Sequence, residues 1–335
     1  MRKSWYSLIA ITGAVGLLAS CSSTEQVDAD AHEPQVELVA ATINSSSTFF
    51  GQALIAFADA IEEESDGEIS VKVFTGGQLG DASSSYQSVI SGDIDIIYTD
   101  TGWFAEHQPI FDVLATSYLF DDQEHYDSIV NETDGLAYFE DLLRESPGLE
   151  TIMYTGGLER NIMSTFPIES VNDLQGRNMR TGGSGPELEW WQLLGANPLN
   201  VNFSEVYSAI QTGVVDGGHN SLDSMVENRF GEVVDYVART QHVLALGFVV
   251  MNGERYDNLS DEHKEAIAAA SDRVQSEYTD HAFEMADDYK DRLVEDFNIT
   301  FTDFDKEEFI EISRNQRMEI ARELGAEEVI ADIFD

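Results

Sequence analysis

The chain has 335 residues, 42% of them hydrophobic, and sets 63 Asp and Glu against 18 Lys and Arg for a formal net charge of −45. That length and apolar content support about two domains with real cores, while the charge excludes nucleic acid, whose phosphates it repels, and a polybasic membrane patch. Exposed acids in such excess repel one another, a cost that salt relieves as the screening length falls to about 3 Å at 1 M, so the composition points to a salt-loving host.

The first twenty residues read as a secretion signal. Arg2 and Lys3 precede an apolar stretch, Leu8 to Ala19, that is too short to span a bilayer comfortably. Ala19 and Ser20 stand directly before Cys21, the chain's only cysteine, an arrangement that resembles a bacterial lipoprotein cleavage box. The resemblance implies that Cys21 becomes the mature N-terminus and carries a lipid anchor; the alternative is an ordinary signal peptide with an incidental cysteine. A single cysteine forms no internal disulfide and no Cys-based metal site. Cleavage after residue 20 removes Arg2 and Lys3 and no acid, leaving 16 basic residues against 63 acidic ones, or −47. Residues 21–35 read as an acidic tether. No later segment reaches spanning length, so the remainder reads as soluble and extracytoplasmic.

Folded structure begins at Val36. Val36 to Ala41 reads as a buried strand, and Phe49, Phe50, Leu54, Phe57, Ala58 and Ile61 recur at helical spacing until Ser65-Asp66-Gly67 stops them. Ile69 to Phe74 is a second strand. A helix near Ser83 to Ile90 leads to a third at Ile94 to Tyr98. This β-α-β-α-β rhythm predicts a mostly parallel sheet with helices on both faces. A second series follows Tyr154, with strands near Asn161 to Ser164, Asn178 to Thr181 and Val214 to Asp216. Its helices are expected at Glu187 to Leu194, Ser204 to Gln211 and Leu222 to Asn228. Val243 to Met251 reads as a strand crossing back to the first series. Ser260 to Glu295 lacks helix breakers; as one helix it spans about 50 Å, long enough to brace two lobes. A last helix covers Lys306 to Leu324.

Catalytic signatures are missing: no P-loop, no His-Glu-x-x-His and no Gly-x-Ser-x-Gly elbow. Seven histidines are scattered without metal-ligand spacing, and no cofactor is implied. The scarce basic residues carry more information. Between Val36 and Met251 they are Lys72, Arg144, Arg160, Arg177, Arg180, Arg229 and Arg239. A guanidinium fork matches a carboxylate bidentately, which makes these candidates for binding an organic acid.

Ordered blocks then resemble one family. Phe57-Ala58-Asp59 through Gly67-Glu68-Ile69, Gln78-Leu79-Gly80, Ser91-Gly92-Asp93-Ile94-Asp95 and Tyr118-Leu119-Phe120 come first. Asp173-Leu174-Gln175-Gly176 with Met179-Arg180, Leu194-Gly195-Ala196-Asn197-Pro198, and Ser204 through Gly217 follow. The order and content resemble the solute-binding subunit of tripartite ATP-independent periplasmic (TRAP) transporters, the DctP-type family. The resemblance implies an α/β, two-lobed periplasmic binding protein fold with crossing strands and a long helix bracing both lobes. Lobe 1 would comprise 36–157 and lobe 2 158–243, with parts of 244–335 and 252–335 joining them. It implies a binding protein, not an enzyme, that captures a small organic carboxylate, a sugar acid or dicarboxylate, and delivers it to TRAP membrane subunits. Alternatives on the same fold are a sensor domain and a binder of a zwitterionic solute or sulfonate.

By position, the resemblance makes Arg180 the main carboxylate anchor, Arg160 the second arginine and Asn220 a ligand contact. Relatives often carry an acid where His219 stands, and that acid joins the second arginine and a histidine, here His242, in a closure network. Glu159 lies beside Arg160, but alternation points it to the other face. Ser47 and Thr48 precede the first helix, where they either meet an anion or cap the helix. Trp103 follows the third strand and either stacks on a ligand or joins the core. Tyr207 serves packing or contact, and Trp190 and Trp191 read as core.

Overall fold

The computed structural model describes residues 34–131, 135–182 and 185–334. The expected signal peptide, Cys21 and the expected tether up to residue 33 lie outside the described residues. Gln35, at the tether's end, already donates its backbone N–H to Glu68 at 2.8 Å.

The first series is β1 (Val36–Ala41), α1 (Phe49–Glu64), β2 (Ile69–Phe74), α2 (Ala82–Ser91) and β3 (Ile96–Asp100). Asp81 caps α2 by accepting the Ser84 N–H, and Gly92 closes it in the left-handed conformation. Two 3-10 turns, α3 (Gln123–Val130) and α4 (Ala137–Glu145) lead to β4 (Leu149–Ser164), a strand of 16 residues. Next come β5 (Asn178–Thr181), α5 (Gly185–Leu193), β6 (Asn197–Asn200), α6 (Val206–Gln211), β7 (Gly217–Ser221), α7 (Leu222–Glu227) and the 17-residue β8 (Tyr236–Asn252). The chain closes with α8 (Gly253–Asp257), α9 (Asp261–Phe297), β9 (Thr300–Thr302), α10 (Lys306–Glu323) and α11 (Glu327–Phe334).

All nine strands join one mixed sheet in the order β2-β1-β3-β8-β4-β7-β5-β6, with β9 on β8. Its flanks are parallel, as the alternating rhythm predicts, and its centre is antiparallel. There β4 and β8 run side by side along nearly their whole length, β8 pairing β3 at one end and β4 pairing β7 at the other. Buried apolar side chains divide along these two strands. Leu38, Phe57, Phe111, Tyr154 and Phe248 belong to one side; Ile162, Trp190, Val215, Met225 and Val237 belong to the other. The 37-residue α9, about 55 Å long, reaches both, burying Ile267, Ala270 and Val274 near one end and Leu293 at the other. Ser260 caps it, and Asp261 and Glu262 in its first turn suit the positive end of the helix dipole.

Two expectations change. The strand placed at Ile94 to Tyr98 runs from Ile96 to Asp100. Val214 to Asp216 is not a strand; Val214 is exposed and the strand is Gly217–Ser221. A Cβ on Gly217 would overlap the Met163 carbonyl, so the approach of β4 demands glycine where the sequence suggests a turn. For the same reason Gly156 and Gly157 lie inside β4. A Cβ on Gly156 would overlap the Ala245 carbonyl oxygen, and Gly157, at φ +84°, opens a register shift toward Glu159.

Phe248 on β8 is fully buried, with edge-on contacts to Phe104 at 5.0 Å and Tyr154 at 5.0 Å. Phe248→Ala is expected to cost about 3–5 kcal/mol of stability, read from urea unfolding midpoints.

Candidate functional site

Strand ends on both sides of the crossing bring four charges into one neighbourhood: Asp100 ending β3, Arg160 on β4, Arg180 on β5 and Glu187 in the first turn of α5. Arg160 Nη2 donates to Asp100 Oδ1 at 3.3 Å, and the Tyr98 hydroxyl donates to the same oxygen at 3.3 Å. Burial opposes the charge on Arg160, but Asp100 and Tyr98 outweigh it and hold its pKa above the ordinary value. Arg180 is different. Its Nε donates to the Val201 carbonyl at 3.0 Å, and among the described residues no carboxylate oxygen lies within 4.0 Å of its guanidinium. Burial lowers its pKa against the opposing pull of Glu187. The side chain passes over Gly218, where a Cβ would stand 3.2 Å from Arg180 Cβ. Strand alternation sets Asn220 on the same face of β7 as Gly218. Asn220 is partly exposed, and its Oδ1 accepts the Ser221 N–H at 3.0 Å.

Glu187 is the residue that sequence reasoning missed. Its carboxylate accepts the Gly182 N–H at 3.2 Å and meets His219 Nε2 at 3.3 Å. His219 Nδ1 lies 2.7 Å from His242 Nε2, and His242 Nδ1 lies 2.7 Å from Thr240 Oγ1. A carboxylate only accepts, so His219 Nε2 carries the proton there. A continuous line of polar contacts thus runs from the Thr240 hydroxyl through His242 and His219 to Glu187. The rings stack at 5.0 Å, and His242 also stacks on Trp190 at 4.6 Å. Burial pushes His242 well below the ordinary histidine range, with His219 and Arg160 adding to the effect. Burial would raise Glu187, but His219, Arg180 and Arg160 outweigh it and hold it at about 2. A carboxylate from α5 thus meets the histidine that stands on β7. Glu159 takes no part in this chain; it pairs with Arg239 at 2.7 Å and with Gln241.

The other expected residues distribute unevenly. Trp103 is partly buried and lines a cleft with Thr42, Tyr98, Thr99 and Asp100, which brings it to the Arg160 side of the site. Ser47 is exposed and its hydroxyl meets that of Ser45 at 3.1 Å. Thr48 occupies the N-cap position of α1, but its hydroxyl donates back to the Ser45 carbonyl at 2.8 Å and caps nothing. The first N–H of that helix, from Phe49, goes instead to Asp223 Oδ2 at 3.3 Å. A carboxylate of the chain itself thus takes the first N–H of that helix. The Tyr207 hydroxyl donates to Glu232 at 2.9 Å, and among the described residues no contact links it to Arg180. Trp190 and Trp191 are buried, Trp190 donating to Ser313 Oγ at 2.8 Å. Among the described residues no group of His, Cys, Asp and Glu is arranged to hold a metal ion, and no helix is long and apolar enough to cross a membrane.

Residues 40–323 match the family model described as bacterial extracellular solute-binding protein, family 7 (DctP). The chain belongs to that family of solute-binding proteins. It is 31% identical over 224 residues to the sialic acid-binding periplasmic protein SiaP of Vibrio cholerae, covering 66% of this chain and 69% of that one. It is 26% identical over 230 residues to the C4-dicarboxylate-binding protein DctB of Bacillus subtilis, covering 68% of this chain and 65% of the relative. The crystal structure of a TRAP periplasmic solute-binding protein from Sulfitobacter, with bound α-D-taluronate, superposes with a TM-score of 0.83 at 25% identity. That match covers 90% of this chain and 97% of the other.

The two perturbed groups predict a two-step loss of stability in acid. Below about pH 6.5 an unfolded His242 takes up a proton that the folded one refuses, so its contribution is complete above that pH and declines beneath it. Glu187, lowered from 4.5 to about 2, contributes stability present above pH 4.5 and lost as pH falls toward 2, on the order of 3 kcal/mol. In pH-dependent urea unfolding, His242→Phe is expected to remove the first step and Glu187→Gln the second.

Proposed function

We propose that this protein captures a polyhydroxylated organic carboxylate, a sugar acid, outside the cytoplasm and delivers it to the membrane subunits of a TRAP-type transporter. The observation that carries the reading is Arg180: a mostly buried guanidinium whose Nη1 and Nη2 have no acceptor among the described residues. A ligand carboxylate completes such a group with two parallel hydrogen bonds. Asn220 and Asp100 offer further polar contacts, and Trp103 offers a flat apolar face to the carbon skeleton. The sialic acid of the Vibrio relative and the taluronate of the Sulfitobacter structure are both sugar acids, which supports the ligand class.

The mechanism follows from the two-sided core. Residues 36–157 and 158–243 form the two lobes, each completed by parts of the chain after residue 243. The open form admits ligand, Arg180 fixes the carboxylate, and closure creates the surface that the membrane partner recognises. Cys21 anchors the mature chain to the membrane through lipid, with residues 22–35 as tether. The charge of −45 adapts the surface to a saline exterior.

In a thermal-shift screen against sugar acids, a ligand at about 100 times its Kd is expected to stabilise the fold by roughly 2.7 kcal/mol. Arg180→Lys should weaken binding by about 30-fold or more, roughly 2 kcal/mol, because the fork is lost. Arg160→Lys should weaken it less, since Arg160 is already paired with Asp100. A larger loss at Arg160 would refute the assignment of Arg180 as anchor. Without ligand, the midpoint of thermal unfolding is expected to rise between about 0.1 M and 1 M NaCl, as screening relieves acid repulsion; a fall would remove the argument for a saline habitat.

A further inference from the structure

We propose that Asp100 and Glu187 restrict the site to ligands with a single carboxylate, Glu187 being the principal barrier to a dicarboxylate. This rests on the reading of Arg180 as the carboxylate anchor. Membership of the family leaves the point open, because its members include binders of sialic acid, which has one carboxylate, and of C4-dicarboxylates, which have two.

The argument is a local charge count. Two arginines and two acids make up the neighbourhood. Arg160 is already matched by Asp100 at 3.3 Å. Glu187 is tied to the Gly182 N–H and to His219, so it remains ionised without closing on Arg180. Arg180 Nη2 and Glu187 Oε2 each lie 3.5 Å from where a Cβ on Gly182 would stand, so cation and acid flank the same glycine. The four side chains, two guanidinium groups and two carboxylates, sum to zero. A ligand seated on Arg180 brings one negative charge to a balanced framework. A second carboxylate finds no unmatched arginine here and faces Asp100 or Glu187. Like charges brought together in a partly desolvated site cost several kcal/mol. Ligand hydroxyls meet the reverse situation, since carboxylates are strong acceptors for them.

The net charge of −45 also disfavours dianions, but that field acts from the whole surface and is screened by salt, whereas partly buried pairs are screened far less. Titration calorimetry of the purified full-length protein in 1 M NaCl separates the two. The probes are D-gluconate against D-glucarate and D-galacturonate against galactarate, pairs that share a carbon skeleton and differ in one carboxylate. The one-carboxylate partner is expected to bind at least about tenfold more tightly. Glu187→Gln should narrow that ratio by about tenfold; Asp100→Asn should narrow it too, by releasing Arg160 as a second anchor. Glu323→Gln, which removes one exposed acid from the end of α10, should leave the ratio unchanged. Equal or tighter binding of the dicarboxylates by the wild type overturns the proposal. So does a ratio unmoved in both folded site variants, or one moved as much by Glu323→Gln. Failure of every probe to bind would overturn the carboxylate reading itself, and this inference with it.

Discussion

A guanidinium partly withdrawn from water without a direct ion pair is costly, and Arg180 is held in that condition. The fold offsets the cost without cancelling the charge. A backbone carbonyl takes its Nε, an acid stands close without making an ion pair, and a second arginine is kept quiet by its own aspartate. One glycine helps to make this arrangement possible: Gly218 on β7, where a Cβ would press to 3.2 Å from Arg180 Cβ. Much of the surrounding structure maintains that separation.

What restrains Glu187 extends well beyond the site. Its partner His219 is backed by His242, His242 is sandwiched against Trp190, and Trp190 is fixed by Ser313 on α10. A helix from the C-terminal part of the chain therefore sets the position of α5, and with it the acid beside Arg180. The Tyr118 N–H and hydroxyl bond to the carbonyls of His242 and Thr240, which ties the 3-10 region after β3 into the same assembly. Polar groups buried this deeply specify a geometry because each one is stable only with its partner in place.

Legibility in the sequence followed the rarity of each signal. Arg160 and Arg180 stood out because cations are scarce in this chain, and both lie in the site. Glu187 was illegible for the converse reason: one acid among 63 carries no information. The clue to it was indirect, since a histidine at position 219 in place of an acid leaves its neighbours needing a carboxylate from elsewhere. Helices were read well where apolar spacing ran up to a clear stop, as in α1, and where helix formers ran unbroken behind a cap, as in α9. The middle of β4 and all of β7 were hidden by glycines that local preference assigns to turns but that close strand packing requires. Ser47 and Thr48 had the right residue types for a helix N-terminus. Nothing local could reveal that Asp223, 174 positions away from Phe49, would take its N–H.

The long partnership of β4 and β8 bears on how the chain reaches this state. Because each strand passes uninterrupted from one core to the other, neither half owns a complete sheet. The halves are therefore not separable folding units, and excising either would strip the other of its central pair. That pair joins segments far apart in sequence, Leu149 meeting Asn252. Its loop-closure entropy must be met before the non-local contacts reward it, which favours slow, late and cooperative assembly. The shared strand pair thus makes the two cores assemble as a single body.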